Sequence, residues 1–331
     1  MSISKIYSVQ LSGLKAHIIN IEVDLSNGLH AFSIVGLGDK AVEEARDRIS
    51  AAIKNSGYTS PKQKNQKVVI SLAPADIRKE GPSFDLGMAL AYLSASGDVD
   101  FDPERKIFLG ELSLEGVVRK VSGILPLTRG AQQCEFKEIF IPEENAVEAG
   151  LVKGIKIYPV KNLEQIVAHL SAKEGSMIKP QKATKVAKSA VVIENNFSVI
   201  RGQETAKRAL EIAAAGGHNV GMYGPPGTGK TMLAKAFQGI LPSLDYEEVL
   251  EVTGIHSVAR ILDKPFLTEP PFRSPHHTSS YASLVGGGPV PKPGEITLAH
   301  RGVLFLDEFP EFDKKVIEAL RQPLEDRSIT I

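Results

Sequence analysis

The chain has 331 residues, a length that suggests about two domains, and its 39 lysines and arginines balance 39 aspartates and glutamates. That balance excludes a global positive field that would draw the whole chain to nucleic acid, and the single cysteine, Cys134, excludes an intramolecular disulfide and a cysteine-cluster zinc site. We predict that Cys134 is a small apolar filler. The sequence has neither a secretory signal nor a run of about 18 apolar residues, so we expect a cytoplasmic protein that does not enter a membrane.

Residues 1–170 are predicted to form a mixed α+β domain. Apolar runs broken by Gly, Asn and Ser predict a three-stranded meander over 3–11, 17–25 and 31–35. An Ala and Ile stripe at three- and four-residue intervals then predicts an amphipathic helix over 41–53. Further apolar runs predict a buried helix over 86–95 and strands over 67–73, 107–111 and 139–142.

Residues 171–192 are predicted to be a basic linker, because hydrophobic periodicity fades there. It contains one acidic residue before 190, Glu174, and five lysines: Lys173, Lys179, Lys182, Lys185 and Lys188. Two interpretations stay open. The segment is either a soluble spacer or a strap that contacts phosphates.

Residues 193–331 are predicted to form a second domain with the element order of a phosphate-binding fold. The patterns predict a helix over 204–215, a strand over 219–223, a helix over 231–241, an irregular insertion over about 265–294 and a strand over 302–306.

The glycine-rich loop between the strand and the helix carries the first phosphate motif. It reads GPPGTGKT and consists of Gly224, Pro225, Pro226, Gly227, Thr228, Gly229, Lys230 and Thr231. Backbone N–H groups of such a loop converge on phosphate oxygens, and the helix adds its positive end. We therefore predict that this loop holds a triphosphate, with Lys230 on the β- and γ-phosphates and the Thr231 hydroxyl on Mg²⁺.

The second motif is a pair of acids at the end of the last apolar run, in GVLFLDEF. A buried strand delivers such acids to the carboxyl edge of a sheet, where ligands of α/β folds bind. Asp307 is predicted to hold hydrated Mg²⁺, and Glu308 to orient and deprotonate the attacking water. Since no N-K-x-D guanine-reading motif follows, ATP is the predicted nucleotide.

The stretch Phe197–Phe237 resembles the opening of an AAA+ module, which implies that Val199, Ile200 and Gly202 line the adenine pocket. The stretch Phe272–Phe309 resembles the magnesium-chelatase-like branch, specifically the ComM/YifB family. This resemblance implies a partial α/β P-loop AAA+ domain, a homo-hexameric full-length form, and an ATP-driven DNA helicase or branch-migration factor in recombination or natural transformation.

The stretches Arg78–Val99 and Phe108–Asn145 resemble the proteolytic domain of Lon-type proteases, which implies a ribosomal-S5-domain-2-like fold. In that family a serine–lysine dyad cleaves peptides. Ser83 matches the serine position, but Leu125 stands at the lysine position. Neither Lys120 nor Arg129 is in register to replace the lysine, so we expect no protease activity and predict that Ser83 is a turn or helix-capping residue.

Several alternatives remain. His276, His277 and His300 are a possible zinc triad, although adjacent histidines rarely aim at one ion and a supporting role beside the site or within the insertion fits them better. The family resemblance also admits a metal-chelatase or protein-remodelling ATPase. Because the sensor residue, arginine finger and helical lid implied by that resemblance are missing, we expect a fragment of a longer protein that binds nucleotide with slow or no turnover.

Overall fold

The computed structural model describes residues 2–173, 175–186, 196–288, 291–326 and 328. The chain divides into two compact units, residues 1–185 and 186–331. Among the described residues, no helix has the length and apolar character needed to cross a membrane. The predicted domain boundaries at 170 and 193 stay predictions.

The first unit is built on one mixed sheet. Its strands are β1 (Ser2–Ser12), β2 (Lys15–Asn27), β3 (Ala31–Val35), β4 (Gln66–Ala73), β5 (Lys106–Phe108), β6 (Glu111–Leu112), β7 (Val118–Arg119), β8 (Glu138–Pro142) and β9 (Lys156–Val160). Its helices are α1 (Lys40–Asn55), α2 (Asp85–Ala95), α3 (Ile124–Gln133), α4 (Ala146–Ala149) and α5 (Leu163–Leu170). Seven strands form the sheet in the order β3-β4-β2-β1-β5-β8-β9, and β6 pairs with β7 apart from it.

Each predicted strand of this unit except the one over 107–111 is confirmed, but the predicted meander is wrong. Of its three strands, β1 and β2 form an antiparallel hairpin, whereas β3 pairs with β4 in parallel, with Phe32 opposite Val68. The helix α1 makes the crossover that a parallel pair requires. The predicted strand over 107–111 is also divided, because β5 ends at Phe108 and Glu111 begins the separate β6–β7 pair.

The helix α2 lies in the core of the first unit, and ten of its 11 residues are buried. Its first residue, Asp85, has a fully buried side chain that receives two hydrogen bonds from the Arg48 guanidinium, at 2.8 and 3.1 Å. Burial raises the pKa of Asp85 to about 6, even though Arg48 and the Leu112 N–H favour its charged form. This ion pair joins α1 to α2 inside the core.

Of two side-chain predictions in the first unit, the one for Ser83 is confirmed as a turn residue and the one for Cys134 is wrong. Ser83 lies in a 3₁₀ turn, Pro82–Phe84, that leads directly into α2, so Phe84 occupies the cap position and no side chain caps the helix. Cys134 is exposed at the end of α3 and therefore fills no apolar space. Leu125 is buried in α3, with 1% of its surface exposed.

The segment 171–185, as far as the structure describes it, lies along the first unit. Ile178 is buried in the core cluster, and its N–H donates to His169 Nδ1 at 3.0 Å. The Gln181 N–H donates to the Ile157 carbonyl at 2.7 Å, and the Thr184 N–H to the Gly150 carbonyl at 2.8 Å. Residues 175–185 are therefore held against this unit, and we call them the basic strap. Glu174 and Lys188 lie outside the described residues.

The second unit has short strands and mostly short helices. Its helices are α6 (Glu204–Gly216), α7 (Lys230–Phe237), α8 (Tyr246–Val258), α9 (Tyr281–Val285), α10 (Glu295–Leu298), α11 (Lys314–Ala319) and α12 (Arg321–Glu325). Its strands are β10 (Phe272–Arg273), β11 (Gly286–Gly287), β12 (Lys292–Pro293) and β13 (Val303–Leu304). The strand pairs are β10 with β13, in parallel, and β11 with β12, antiparallel.

Three element predictions in this unit need correction. Residues 219–223 form no strand: Val220 is half exposed, Tyr223 is fully exposed, and no described strand pairs with them. An apolar run becomes a strand only where a partner receives its backbone hydrogen bonds, and these residues have none in the described chain. The predicted helix over 231–241 begins at Lys230 and ends at Phe237, followed by a 3₁₀ turn, Gln238–Ile240. The predicted insertion is not wholly irregular, since it contains β10, α9 and both strands of the β11–β12 pair.

Candidate nucleotide site

The glycine-rich loop, residues 224–229, leads directly into α7. Gly227 and Gly229 have φ angles of 82° and 83°, which side chains on L-residues rarely adopt. A Cβ atom on either glycine would meet nothing within 4 Å, so backbone conformation, rather than crowding, demands glycine there. Gly229 also provides no capping side chain to α7, which leaves the first-turn N–H groups available to an anion.

The Lys230 side chain folds back over this loop. Its Nζ donates hydrogen bonds to the Gly224 carbonyl at 2.9 Å and to the Pro225 carbonyl at 3.0 Å. The Thr228 hydroxyl donates to the same Pro225 carbonyl at 3.0 Å. These bonds place the ammonium group at the loop, where the prediction for Lys230 requires a cation.

The two predicted motifs meet through their side chains. The Thr231 hydroxyl donates to Asp307 Oδ2 at 3.0 Å, although the two residues are 76 positions apart in the chain. Asp307 follows β13, and its other oxygen, Oδ1, accepts from the Glu308 N–H at 3.1 Å. A hydroxyl beside a carboxylate is an oxygen donor set of the kind that Mg²⁺ takes, so these residues fit the predicted ion.

Glu308 contacts a histidine of the insertion. Its Oε2 lies 3.1 Å from His277 Nδ1, and its backbone has the left-handed φ of 53°. The His277 ring lies against that of His276, with centroids 4.1 Å apart, and meets the Phe312 ring edge-on at 6.5 Å. The predicted catalytic carboxylate is therefore attached to the insertion as well as to its own strand.

The segment predicted to contact adenine lies beside the loop. Ile200 is buried in a small cluster with Leu210 and Leu233, whereas Val199 is half exposed at the end of a 3₁₀ turn. The Gln203 side chain reaches the Thr228 carbonyl at 3.5 Å and connects this segment to the loop. Among the predicted adenine contacts, Val199 presents a more accessible side chain than Ile200.

The three histidines considered for zinc do not come together. His276 Nδ1 is paired with the Thr278 hydroxyl at 2.9 Å, and His300 Nε2 lies 3.1 Å from Glu251 Oε2. The described residues contain no cluster of three or more side chains that could hold a metal ion. Sequence reasoning gave His277 a supporting role but did not connect it to Glu308, and it missed Gln203 altogether. Nothing in the local pattern marked either contact.

Comparisons with known proteins agree with the motifs. The family model described as "Magnesium chelatase, subunit ChlI" matches residues 196–331, and the model "Subunit ChlI of Mg-chelatase" matches residues 21–145. The chain is 44% identical over 341 residues to the competence protein ComM of Haemophilus influenzae, an alignment that covers 100% of the chain and 65% of that protein.

Two further relatives differ in how much they match. The chain is 42% identical over 332 residues to the uncharacterized protein YifB of Escherichia coli, covering 99% of the chain and 64% of YifB. It thus spans somewhat less than two thirds of the length of these relatives. Lon protease 2 of Bacillus subtilis is 30% identical over 172 residues, which is 48% of the chain and 31% of the protease.

Proposed function

Because the chain belongs to the magnesium-chelatase-like family of ComM and YifB, we propose that it is the nucleotide-binding part of an AAA+ ATPase that hydrolyses ATP with Mg²⁺. The observation that carries the proposal is the 3.0 Å contact between the Thr231 hydroxyl and the Asp307 carboxylate. It brings the phosphate loop and the acid pair together at one point, and ATP hydrolysis needs both.

Each residue has a distinct task in this reaction. The loop N–H groups and Lys230 bind the β- and γ-phosphates, while Thr231 and Asp307 hold the metal. Bound Mg²⁺ neutralises charge on the phosphate oxygens. Glu308, the general base, orients the attacking water and accepts its proton. The loop and α7 position Lys230 and Thr231 before nucleotide arrives, which lowers the entropy cost of binding.

The first test compares ATP affinity with ATP turnover in the full-length natural protein. Lys230→Ala removes charge-assisted hydrogen bonds, and we expect the Kd for Mg-ATP to rise by about 10- to 100-fold. Glu308→Gln is expected to keep the affinity and to lower kcat by at least about 100-fold. Lys235→Ala, an exposed lysine on the same helix, is the matched control. Equal Kd values for Lys230→Ala and Lys235→Ala would refute the site.

We further propose that the ATPase is a cytoplasmic homo-hexamer that drives a DNA helicase or branch-migration reaction in recombination or transformation. The printed name of the Haemophilus relative, a competence protein, supports this choice. So does the basic strap, in which buried or hydrogen-bonded residues recur every third position: Ile178, Gln181 and Thr184. The exposed lysines Lys179, Lys182 and Lys185 follow them one position later.

This alternation presents three positively charged side chains at regular intervals along the strap. Three residues of extended chain span about 10 Å, and a DNA duplex carries about one charge per 1.7 Å of its axis, so each lysine has a phosphate within reach. Changing the three strap lysines to glutamine should weaken DNA binding and reduce the slope of log K against log salt by about 2 to 3. Glutamine at Lys54, Lys67 and Lys120, which are also exposed in the first unit, is the charge-matched control.

A metal-chelatase or protein-remodelling role is the alternative, because both family models are named for a magnesium chelatase subunit. DNA-stimulated hydrolysis separates the two. Stimulation that disappears with Lys230→Ala supports the DNA motor, and ATP turnover unaffected by any form of DNA favours the alternative.

We propose that residues 1–170 adopt a Lon-protease-like fold without peptidase activity. Partial identity to Lon protease 2 supports the fold. Leu125, at the position of the family's catalytic lysine, has no group that can accept a proton from Ser83. Cleavage of casein that is abolished by Ser83→Ala would refute this proposal.

A further inference from the structure

The contact between His277 and Glu308 depends on the pairing of two short strands. In the parallel pair, Phe272 lies opposite Val303 and Arg273 opposite Leu304. The Phe305 N–H donates to the Arg273 carbonyl at 2.8 Å and fixes the register. Parallel strands end at the same edge, so the residues that follow them, His277 on one side and Glu308 on the other, emerge side by side.

The Glu308 side chain has few other restraints. It is 65% exposed, and within the described chain His277 is the one side chain at hydrogen-bonding distance from its carboxylate. The neighbouring acid is engaged elsewhere, with Thr231 and with the Glu308 N–H. His277 is in turn held by the rings of His276 and Phe312, so it is better fixed than the carboxylate it contacts.

The strand that leads to His277 is anchored as well. The Arg273 guanidinium makes two hydrogen bonds to the Glu295 carboxylate, at 2.5 and 2.7 Å, which tie β10 to α10. These two elements lie at the two ends of the segment 274–294, which makes up most of the insertion. A displacement of the insertion that moves His277 therefore changes the restraint on Glu308.

We propose that His277 is a positioning residue that holds the carboxylate of Glu308 and links the state of the insertion to ATP hydrolysis. This inference rests on the proposed function, since it concerns the base of that reaction. In this arrangement the insertion controls kcat through one side-chain contact and leaves nucleotide affinity unchanged, because the phosphate-binding residues are not part of the linkage. A shift of about 1 Å at a reacting group lowers a rate by about 100-fold, so one side chain is sufficient for such control.

A double-mutant cycle in the full-length natural protein tests the linkage. We expect His277→Ala to lower kcat by about 10- to 100-fold with the Kd for Mg-ATP unchanged. In a Glu308→Ala background the same substitution should cause no more than about a twofold further loss, because its effect passes through Glu308. A full loss in both backgrounds, or a rise in Kd that accounts for the loss, would overturn the proposal.

Conservative variants add a second readout. The contacting atom is Nδ1, and the amide nitrogen of an asparagine occupies nearly the same place, whereas that of a glutamine reaches further. We therefore expect His277→Asn to recover most of kcat and His277→Gln to recover little. Recovery by both or by neither would contradict the assigned contact.

The matched control is another histidine–glutamate pair of the second unit, His300 Nε2 with Glu251 Oε2, also at 3.1 Å. His300→Ala should leave kcat within about twofold of the parent. NMR of isotope-labelled imidazoles gives a readout without turnover: Glu308→Ala should shift the His277 ring signal and not that of His300. No shift at His277 overturns the proposal. If Glu308→Gln hydrolyses ATP as fast as the parent, the proposed function fails instead, whatever the NMR result.

Discussion

The buried Asp85 makes the stability of the first unit depend on pH in an unusual direction. Its pKa is raised from 3.8 to about 6, chiefly because burial disfavours the carboxylate. Between these values the folded state binds more protons than the unfolded state, so the contribution of Asp85 to stability falls as pH rises. It is constant below about 3.8 and above about 6.

The magnitude follows from the shift. About two pKa units correspond to about 3 kcal/mol, of which about 2 kcal/mol falls between pH 4 and pH 7. Asparagine does not titrate, so the free energy of unfolding of Asp85→Asn relative to the parent should rise by about 2 kcal/mol from pH 4 to pH 7. The comparison removes the contributions of other carboxylates, which both proteins share.

Urea unfolding of both proteins across that pH range gives the difference. The chain has no tryptophan, so circular dichroism is the probe, and hydrogen exchange of α2 amides assigns the transition to the first unit. Arg48→Ala supplies a second check: it leaves the carboxylate buried with the 3.3 Å hydrogen bond from the Leu112 N–H, which should cost about 3–5 kcal/mol at pH 7 and less at pH 4. A difference between Asp85→Asn and the parent that is independent of pH would refute the reasoning.

Three further predictions concern the strap, the loop and the insertion. Ile178→Ala should release the basic strap, so trypsin should cleave the strap faster in this variant than in the parent. The control is Met177→Ala, because the Met177 side chain is 64% exposed. Equal cleavage rates in the two variants would contradict the role of Ile178 in holding the strap. Gly229→Ala imposes a side chain on a φ of 83°, at a cost of about 1–2 kcal/mol, so isothermal titration should show about tenfold weaker ATP binding, and an unchanged Kd would contradict the need for glycine. Arg273→Lys loses one of the two hydrogen bonds to Glu295, so hydrogen exchange of β10 should accelerate while that of α7 does not; equal acceleration of both would point to general destabilisation.

The local sequence pattern was sufficient to predict the helices and strands that bury a regular stripe of apolar residues. The helix predicted over 86–95 occupies Asp85–Ala95, and the strand predicted over 67–73 occupies Gln66–Ala73. The errors over 219–223 and in the meander depend on distant partners. Whether 219–223 forms a strand depends on another strand beside it, and the parallel direction of β3 depends on the path of α1. The sequence of each segment does not by itself specify which other segment will lie beside it.

The candidate site also combines features that a local sequence pattern predicts with a contact that depends on distant residues. The loop and the acid pair are contiguous motifs whose chemistry is carried by a few adjacent residues, so both could be singled out from the sequence, and in the structure a 3.0 Å contact between Thr231 and Asp307 joins them. His277 was visible in sequence only as one of two adjacent histidines. Its contact with Glu308 follows from the pairing of two strands of two residues each, which are too short to produce any periodic pattern.

The two carboxylates after β13 are therefore held in different ways, and this difference has a functional consequence. Asp307 is contacted by Thr231, a residue of α7, whereas Glu308 is contacted by His277, a residue of the insertion. In the proposed reaction, binding of Mg-ATP and activation of water therefore depend on separate contacts, although the acids are adjacent in sequence. For the proposed motor this means that a substrate that displaces the insertion would alter hydrolysis without first releasing the nucleotide, so ATP stays bound until the substrate is engaged.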